Sequence, residues 1–322
     1  MPIIVVPDDE PPVLAGTLEA ERLGQLGEVR IYNSRTFGEE TLLSRIADAD
    51  IVYNIRSTSV FSRNVMRNCP KLKLIAIYGV GYDNVDVPAA SELGIIVTNT
   101  PGYSAIAVGE MSLSLMLAVA HKIAQNDRTI RAGGWAREYS SQLYGKTLGV
   151  IGTGSIGQRV IQLGKAIGMK VITWTLHPSP ERTEEYRAEF VTLEELMLQS
   201  DVVSIHVLGV PQTDKLIGEH EITLMKPTAM LINTARGSVV DETALVKALQ
   251  SGMIAGAGLD VFANEPLSLD HPLRSIENVV LSPHTAAMVP EATLVGLAMA
   301  VDNIANFLQG HSTNVVNPAQ RY

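Results

Sequence analysis

Leu148-Gly149-Val150-Ile151-Gly152-Thr153-Gly154-Ser155-Ile156-Gly157 decides the fold of this chain. An apolar run, Leu148–Ile151, passes into Gly-x-Gly-x-x-Gly, and a helix-spaced stretch, Gln158–Ile167, follows at once. The glycine pattern alone is common; between a strand and a helix it has a physical purpose. Gly152 permits the tight turn, Gly154 lets a diphosphate approach the backbone, and Gly157 lets helix and strand pack closely. The helix N-terminus then faces the diphosphate with free N–H groups and a partial positive charge. The stretch therefore predicts a parallel α/β unit that binds a dinucleotide.

Such units that prefer NAD usually place an acidic residue about 20 residues further on, to bond the adenosine ribose. No Asp or Glu occurs between Gly157 and Glu181. The next strand ends Val171-Ile172-Thr173-Trp174-Thr175-Leu176-His177, which puts Thr175 where the carboxylate would stand. Without that charge the main repulsion against a 2′-phosphate is gone; no Arg or Lys follows until Arg182, and His177 is placed to assist. The cofactor is thus NAD or NADP, with NADP accepted.

Outward from the turn, short β-branched runs alternate with helix-length segments. Ile3–Val6, Val29–Tyr32, Ile51–Ile55, Leu74–Tyr78 and Ile95–Asn99 form one series of strands. Leu148–Ile151, Val171–Trp174, Val202–Val207, Ala229–Asn233, Gly256–Val261 and Val279–Ser282 form a second. Near-continuous apolar strands in this rhythm imply parallel sheets covered on both faces. The join falls at the turn-rich Asn99-Thr100-Pro101-Gly102. Helices are expected over Leu14–Leu26, Glu39–Ala49, Ala105–Gln125, Glu242–Ser251 and Thr285–Leu308.

Composition sets the outer limits. At 322 residues the chain is long enough for about two domains of about 150 residues each. With 25 Lys+Arg against 34 Asp+Glu it carries a formal charge of −9, which argues against nucleic acid or an anionic membrane surface as partner. One cysteine, Cys69, excludes an internal disulfide and fits a reducing cytoplasm. The N-terminus has no basic, apolar leader pattern, and no run of 18 apolar residues marks a membrane span.

Three ionisable residues stand just past late strands, where parallel sheets collect ligands. Arg236 follows Leu231-Ile232-Asn233-Thr234-Ala235, Glu265 follows Asp260-Val261-Phe262-Ala263-Asn264, and His284 follows Leu281-Ser282-Pro283. Taken singly, each is as well explained by a solvated strand end. Together, Asn233–Gly237 (NTARG), Gly258–Pro266 (GLDVFANEP) and Ser282–His284 (SPH) resemble the catalytic segments of the D-isomer-specific 2-hydroxyacid dehydrogenases. Gly79–Asp86 (GVGYDNVD) and the glycine turn match that family too, in unchanged order from about residue 50 onward.

The resemblance implies two Rossmann-like or flavodoxin-like parallel-sheet domains with a cleft between them. A substrate cap would comprise residues 1–101 plus 286–322, and a dinucleotide domain residues 102–285. It implies NAD(P)-dependent interconversion of a small 2-oxo acid and its D-2-hydroxy acid, as in glyoxylate or hydroxypyruvate reductases and D-3-phosphoglycerate dehydrogenases. His284 is then the general acid and base, since imidazole titrates near neutral pH. Glu265 would bond the other ring nitrogen, and Arg236 would hold the carboxylate and polarise the carbonyl. Val80 and Gly81 would add backbone N–H groups and Ser57 a further substrate contact. Ser155, Ile156 and Val207 would touch the cofactor, Thr234 and Ala235 would line the nicotinamide pocket, and Asp260 would meet the carboxamide. His284 is followed by Thr285-Ala286-Ala287-Met288 where many relatives carry Ile-Gly or Ala-Gly, and Met288 narrows the substrate end. The helix from 105 and the stretch Arg128–Arg137 would form a homodimer interface. Two rivals share the fold: a dinucleotide-sensing corepressor scaffold, and a phosphite or formate dehydrogenase.

Overall fold

A computed structural model describes residues 1–178 and 188–317. The polypeptide forms two compact units: Met1–Ser104 with the chain from Pro290 on, and Ala105–Val289. The joins lie three to four residues from those drawn on the sequence, because Pro290 opens a helix that belongs to the first unit.

The first unit runs β1 (Ile3–Val6), α1 (Leu18–Leu26), β2 (Glu28–Ile31), α2 (Gly38–Ile46), β3 (Ile51–Asn54), α3 (Arg63–Arg67), β4 (Leu74–Ile77), α4 (Val87–Glu92) and β5 (Ile96–Thr98). Its five strands are parallel in the order β2-β1-β3-β4-β5. That order is the flavodoxin-like one. Side chains alternate between the faces. Ile4, Val6, Ile51, Tyr53, Leu74 and Ala76 point to one core, whereas Val5, Val52 and Ile75 point to the other. Both faces are covered, which is why the strands read as unbroken apolar runs. α1 starts at Leu18, not Leu14: Thr17 caps it, and the amides of Val13, Leu14 and Ala15 are taken by the carboxylate of Asp9 instead.

The second unit begins with α5 (Ala105–Ala120) and α6 (Ile123–Arg131). The sequence predicts one helix over 105–125, and the structure breaks it. Lys122 sits in the left-handed region at φ 54°, and the two helices meet at 60°. Neither glycine nor proline marks this break, so pattern alone misses it. There follow β6 (Thr147–Ile151), α7 (Ser155–Ala166), β7 (Lys170–Trp174), β8 (Glu189–Phe190), α8 (Leu193–Gln199), β9 (Val202–Ile205), α9 (Glu219–Leu224), β10 (Met230–Asn233), α10 (Glu242–Gln250), β11 (Gly256–Leu259) and β12 (Val279–Leu281). The seven parallel strands run β12-β11-β10-β9-β6-β7-β8, the doubly wound Rossmann order with one strand added. Ile151, Val203, Ile205, Leu231 and Leu259 face one core; Leu148, Val150, Val202, Met230 and Ile232 face the other, against α5 and α7.

The last helix, α11 (Pro290–Leu308), returns to the first unit and sets Leu297, Ala300, Val301 and Ile304 into its core. It opens five residues later than predicted, with proline at its first position. Among the described residues no single helix is long and apolar enough to cross a membrane.

Candidate active site

The glycine turn lies between β6 and α7 at the point where strand order reverses, since β6 is flanked by β7 on one side and β9 on the other. Ligands of open α/β sheets bind in that crevice. Gly152 has φ +97°, and a Cβ on it would stand 2.6 Å from the carbonyl oxygen of His206. A Cβ on Gly157 would fall on the carbonyl oxygen of Gly152. Gly154, the residue capping α7, instead faces open space and leaves the helix without a side-chain cap. Backbone amides at the start of α7, from Ser155, Ile156 and Gly157, therefore border a cradle with no side chain in it. The hydroxyl of Thr153 is buried beside it with no hydrogen-bond partner among the described residues. This arrangement fits a dinucleotide diphosphate. Thr175 and His177 follow the carboxyl end of β7, Thr175 half-buried and His177 exposed; Val207 follows β9. Arg182 lies outside the described residues.

At the carboxyl end of β10, the side chain of Asn233 folds the next residues into place. Its Oδ1 accepts the amide of Ala235 at 3.0 Å and its Nδ2 donates to the carbonyl of Arg236 at 2.9 Å. The half-buried Arg236 side chain is braced by its Nη1 donating to the carbonyl of Ala235 at 2.9 Å. Thr234 is buried, its hydroxyl 2.9 Å from that of Ser112 on α5, a partner the sequence gives no sign of.

Glu265 and His284 come together from two different loops. Nδ1 of His284 lies 2.7 Å from Oε2 of Glu265, and the other oxygen of Glu265 accepts the amide of Phe262 at 3.0 Å. Burial is the largest single influence on Glu265 and raises its pKa. The hydrogen bond and charge of His284, the Phe262 amide and the Arg236 charge together outweigh it, and the net direction is down. The carboxylate is then ionised at neutral pH and can only accept, so Nδ1 carries the proton of the shared bond. Nε2, on the far edge of the ring, has no partner among the described residues.

His284 stands at φ +55°, an uncommon conformation for a residue with a side chain. Asp260 holds it there. The amide of His284 donates to the Asp260 carbonyl at 2.8 Å, and the buried carboxylate accepts the amides of Thr285 at 3.0 Å and Ala286 at 2.9 Å. The resemblance assigns Asp260 to the nicotinamide; in the structure both its oxygens serve this turn. His206, the other histidine past a strand, differs in kind. Burial pushes its pKa down to about 3, so its ring is neutral at physiological pH. Its Nε2 lies 2.8 Å from the Ser204 hydroxyl.

Ser57, Val80 and Gly81 belong to the first unit, at the carboxyl ends of β3 and β4. Ser57 is exposed, and the amides of Val80 and Gly81 have no hydrogen-bond partner among the described residues. The carbonyl of Val80 accepts Nδ2 of Asn99 at 2.8 Å, which holds this loop against β5.

Two residues with no role in the sequence reading also stand in the second unit's site. Glu242 opens α10 and joins Nε2 of His271 at 3.1 Å, and its other oxygen accepts the amide of Ala263 at 3.1 Å. Ala263 lies two residues before Glu265.

Comparison with known proteins gives the family. The family described as "D-isomer specific 2-hydroxyacid dehydrogenase, NAD binding domain" matches residues 113–286. A glyoxylate reductase of Aeropyrum pernix is 43% identical over 288 residues, covering 86% of this chain and 86% of that protein. A hydroxypyruvate reductase of Blautia hydrogenotrophica is 35% identical over 311 residues, covering 94% and 96%. Among solved structures, an acyclic imino acid reductase in complex with NADPH and D-Arg superposes with a TM-score of 0.88 at 31% identity, covering 98% and 99%. The chain belongs to the D-isomer specific 2-hydroxyacid dehydrogenases and is an NAD(P)-dependent enzyme of that family.

Proposed function

We propose that this enzyme reduces a small 2-oxo acid of the glyoxylate or hydroxypyruvate class to the D-2-hydroxy acid, reversibly. The observation that carries this is the His284–Glu265 pair, 2.7 Å apart, with Nε2 of the ring unpartnered among the described residues. When bound, the dihydronicotinamide supplies the two electrons and one hydrogen that reduce the carbonyl carbon. Protonated Nε2 of His284 delivers its proton to the carbonyl oxygen as negative charge develops there, and takes it back in the oxidative direction. Glu265 keeps the ring proton on Nδ1 and so leaves Nε2 turned to the substrate side of the ring. Arg236 binds the substrate carboxylate and polarises the carbonyl. The free amides of Val80 and Gly81, with Ser57, complete the carboxylate's partners in this proposal.

Gly152, Gly154, Ser155, Ile156 and Gly157 hold the diphosphate, Thr175 and His177 border the adenosine ribose, and Val207, Thr234, Ala235 and Asp260 border the nicotinamide end. Thr175 in place of a carboxylate supports use of NADP as well as NAD. A cytoplasmic homodimer is part of the same proposal, supported by the exposed Ile123, Ile130, Trp135 and Tyr139 on α6 and the segment after it. The test is to follow reduced-nicotinamide absorbance with NADH or NADPH against a panel of 2-oxo acids. Turnover of glyoxylate or hydroxypyruvate is expected. Tight dinucleotide binding with no turnover of any acid would favour the corepressor-like scaffold and sink the proposal.

A further inference from the structure

We propose that Glu242 and His271 are positioning residues for the acid–base pair: they fix the loop that carries Glu265 and so decide which nitrogen of His284 bears the proton. The inference rests on the dehydrogenase proposal and on His284 as its acid.

Two successive amides of the loop are each committed to a carboxylate. Phe262 donates to Glu265 at 3.0 Å, and Ala263 donates to Glu242 at 3.1 Å. Glu242 comes from α10, a regular helix whose cap is made by Asp241 alone, through the amides of Thr243 and Ala244. The carboxylate of Glu242 is thus free of capping duty and is spent wholly on the loop and on His271. Nδ1 of His271 accepts the amide of Leu273 at 3.3 Å, which places that ring's proton on Nε2, toward Glu242. Both side chains are only 18–20% exposed, unlike the solvated pairs elsewhere on the surface, which contribute little. On the far side of the loop, Arg274 donates to the carbonyls of Ser268 at 2.7 Å and Leu267 at 2.8 Å. Glu265 is therefore suspended between two ties. The charged groups close to this clasp are Arg274, Asp270, next to His271, Asp241 with its partner Lys215 at 3.3 Å, and Arg236, whose charge acts on Glu265.

The Glu265–His284 bond at 2.7 Å has little slack. Losing Glu242 removes the acceptor of the Ala263 amide and of the His271 ring at one stroke. Glu265 is then free to leave His284, and an imidazole without a carboxylate on Nδ1 loses its fixed proton position.

The test reads the ring directly. In cofactor-free protein labelled with nitrogen-15 histidine, long-range proton–nitrogen spectra distinguish the Nδ1–H from the Nε2–H form of neutral His284. Wild type is expected in the Nδ1–H form and Glu265→Ala in the Nε2–H form. Glu242→Ala and His271→Leu should each move His284 toward the Nε2–H form. In steady state each should lower kcat by roughly tenfold with little change in KM, as for a displaced catalytic group. His271→Gln keeps a donor toward Glu242 and should restore the wild-type spectrum and rate. Folded Glu242→Ala with an unchanged spectrum and kcat overturns the proposal, as does His271→Gln behaving like His271→Leu. If Glu242→Ala does not fold, the two His271 variants decide. A wild type that turns over no 2-oxo acid defeats the dehydrogenase proposal separately, because the spectral comparison needs neither cofactor nor substrate.

Discussion

Asp260 is the mount on which His284 stands: its carbonyl accepts the histidine amide at 2.8 Å, and its carboxylate accepts the next two amides. The positive φ of His284 is held by three hydrogen bonds that one buried residue accepts. Asp260→Asn keeps the shape but turns one acceptor into a donor facing an N–H. A buried donor left so costs about 1–3 kcal/mol. Expected outcomes are a lower melting temperature and a loss of kcat of at least about tenfold, since small misplacements of a catalytic group are costly. Thermal unfolding and steady-state kinetics check this together. Wild-type values for both would show that the turn is held by other means.

His284→Ala removes the proposed proton donor without touching the glycine turn. Reductive turnover should fall by a factor of roughly 100 to 10,000. Dinucleotide affinity, measured by calorimetry, should stay within about twofold. Retained turnover would mean that another group supplies the proton.

Acid stability should depend on His206. Its pKa is lowered by burial from the ordinary 6.5 to about 3, so the folded chain withholds a proton that the unfolded chain takes up. The sign follows from linkage: the stability is fully present above pH 6.5 and is lost as pH falls toward 3. His206→Asn should flatten the fall in melting temperature across that window, whatever its effect at neutral pH. An unchanged slope would assign acid unfolding to other groups.

Thr175→Asp should turn cofactor preference toward NADH. The carboxylate gains ribose hydrogen bonds and repels a 2′-phosphate. A charge-assisted bond contributes about 1.5–3 kcal/mol, so the ratio of kcat/KM for NADH over NADPH should rise at least about tenfold. NADPH kinetics that do not change would place the adenosine ribose away from residue 175.

Most of the parallel strands were legible in the sequence because apolar runs such as Ile51–Asn54 and Val202–Ile205 are buried on both faces, and burial of both faces needs no partner to be recognised. The three loops past β10, β11 and β12 were legible as well, since Arg236, Glu265 and His284 stand within a few residues of strand ends. Interruptions carried by ordinary residues were not. Lys122 breaks a helix through its own left-handed backbone, and Asp9 draws the amides of 13–15 away from α1 by a bond across the loop. The short β8 is two residues long, too short to show any period. The holding roles of Asp260 and Glu242 were hidden for a different reason. Their partners are backbone amides 21 to 26 residues away, and backbone groups have no identity in a sequence.

The return of α11 to the first unit has a consequence for synthesis. β1 to β5 leave the ribosome early, yet the face bearing Ile4, Ile51 and Leu74 waits for Leu297, Ala300 and Val301 to cover it. Nearly two hundred residues of the second unit are translated in that interval. The second unit, continuous in the chain, can close its cores first, while the earlier-made strands keep an apolar face open until the helix emerges. Throughout that interval the nascent chain keeps open to a chaperone the part of the first sheet's face that Leu297, Ala300 and Val301 later cover, beside the part that Leu14 and Leu23 already cover.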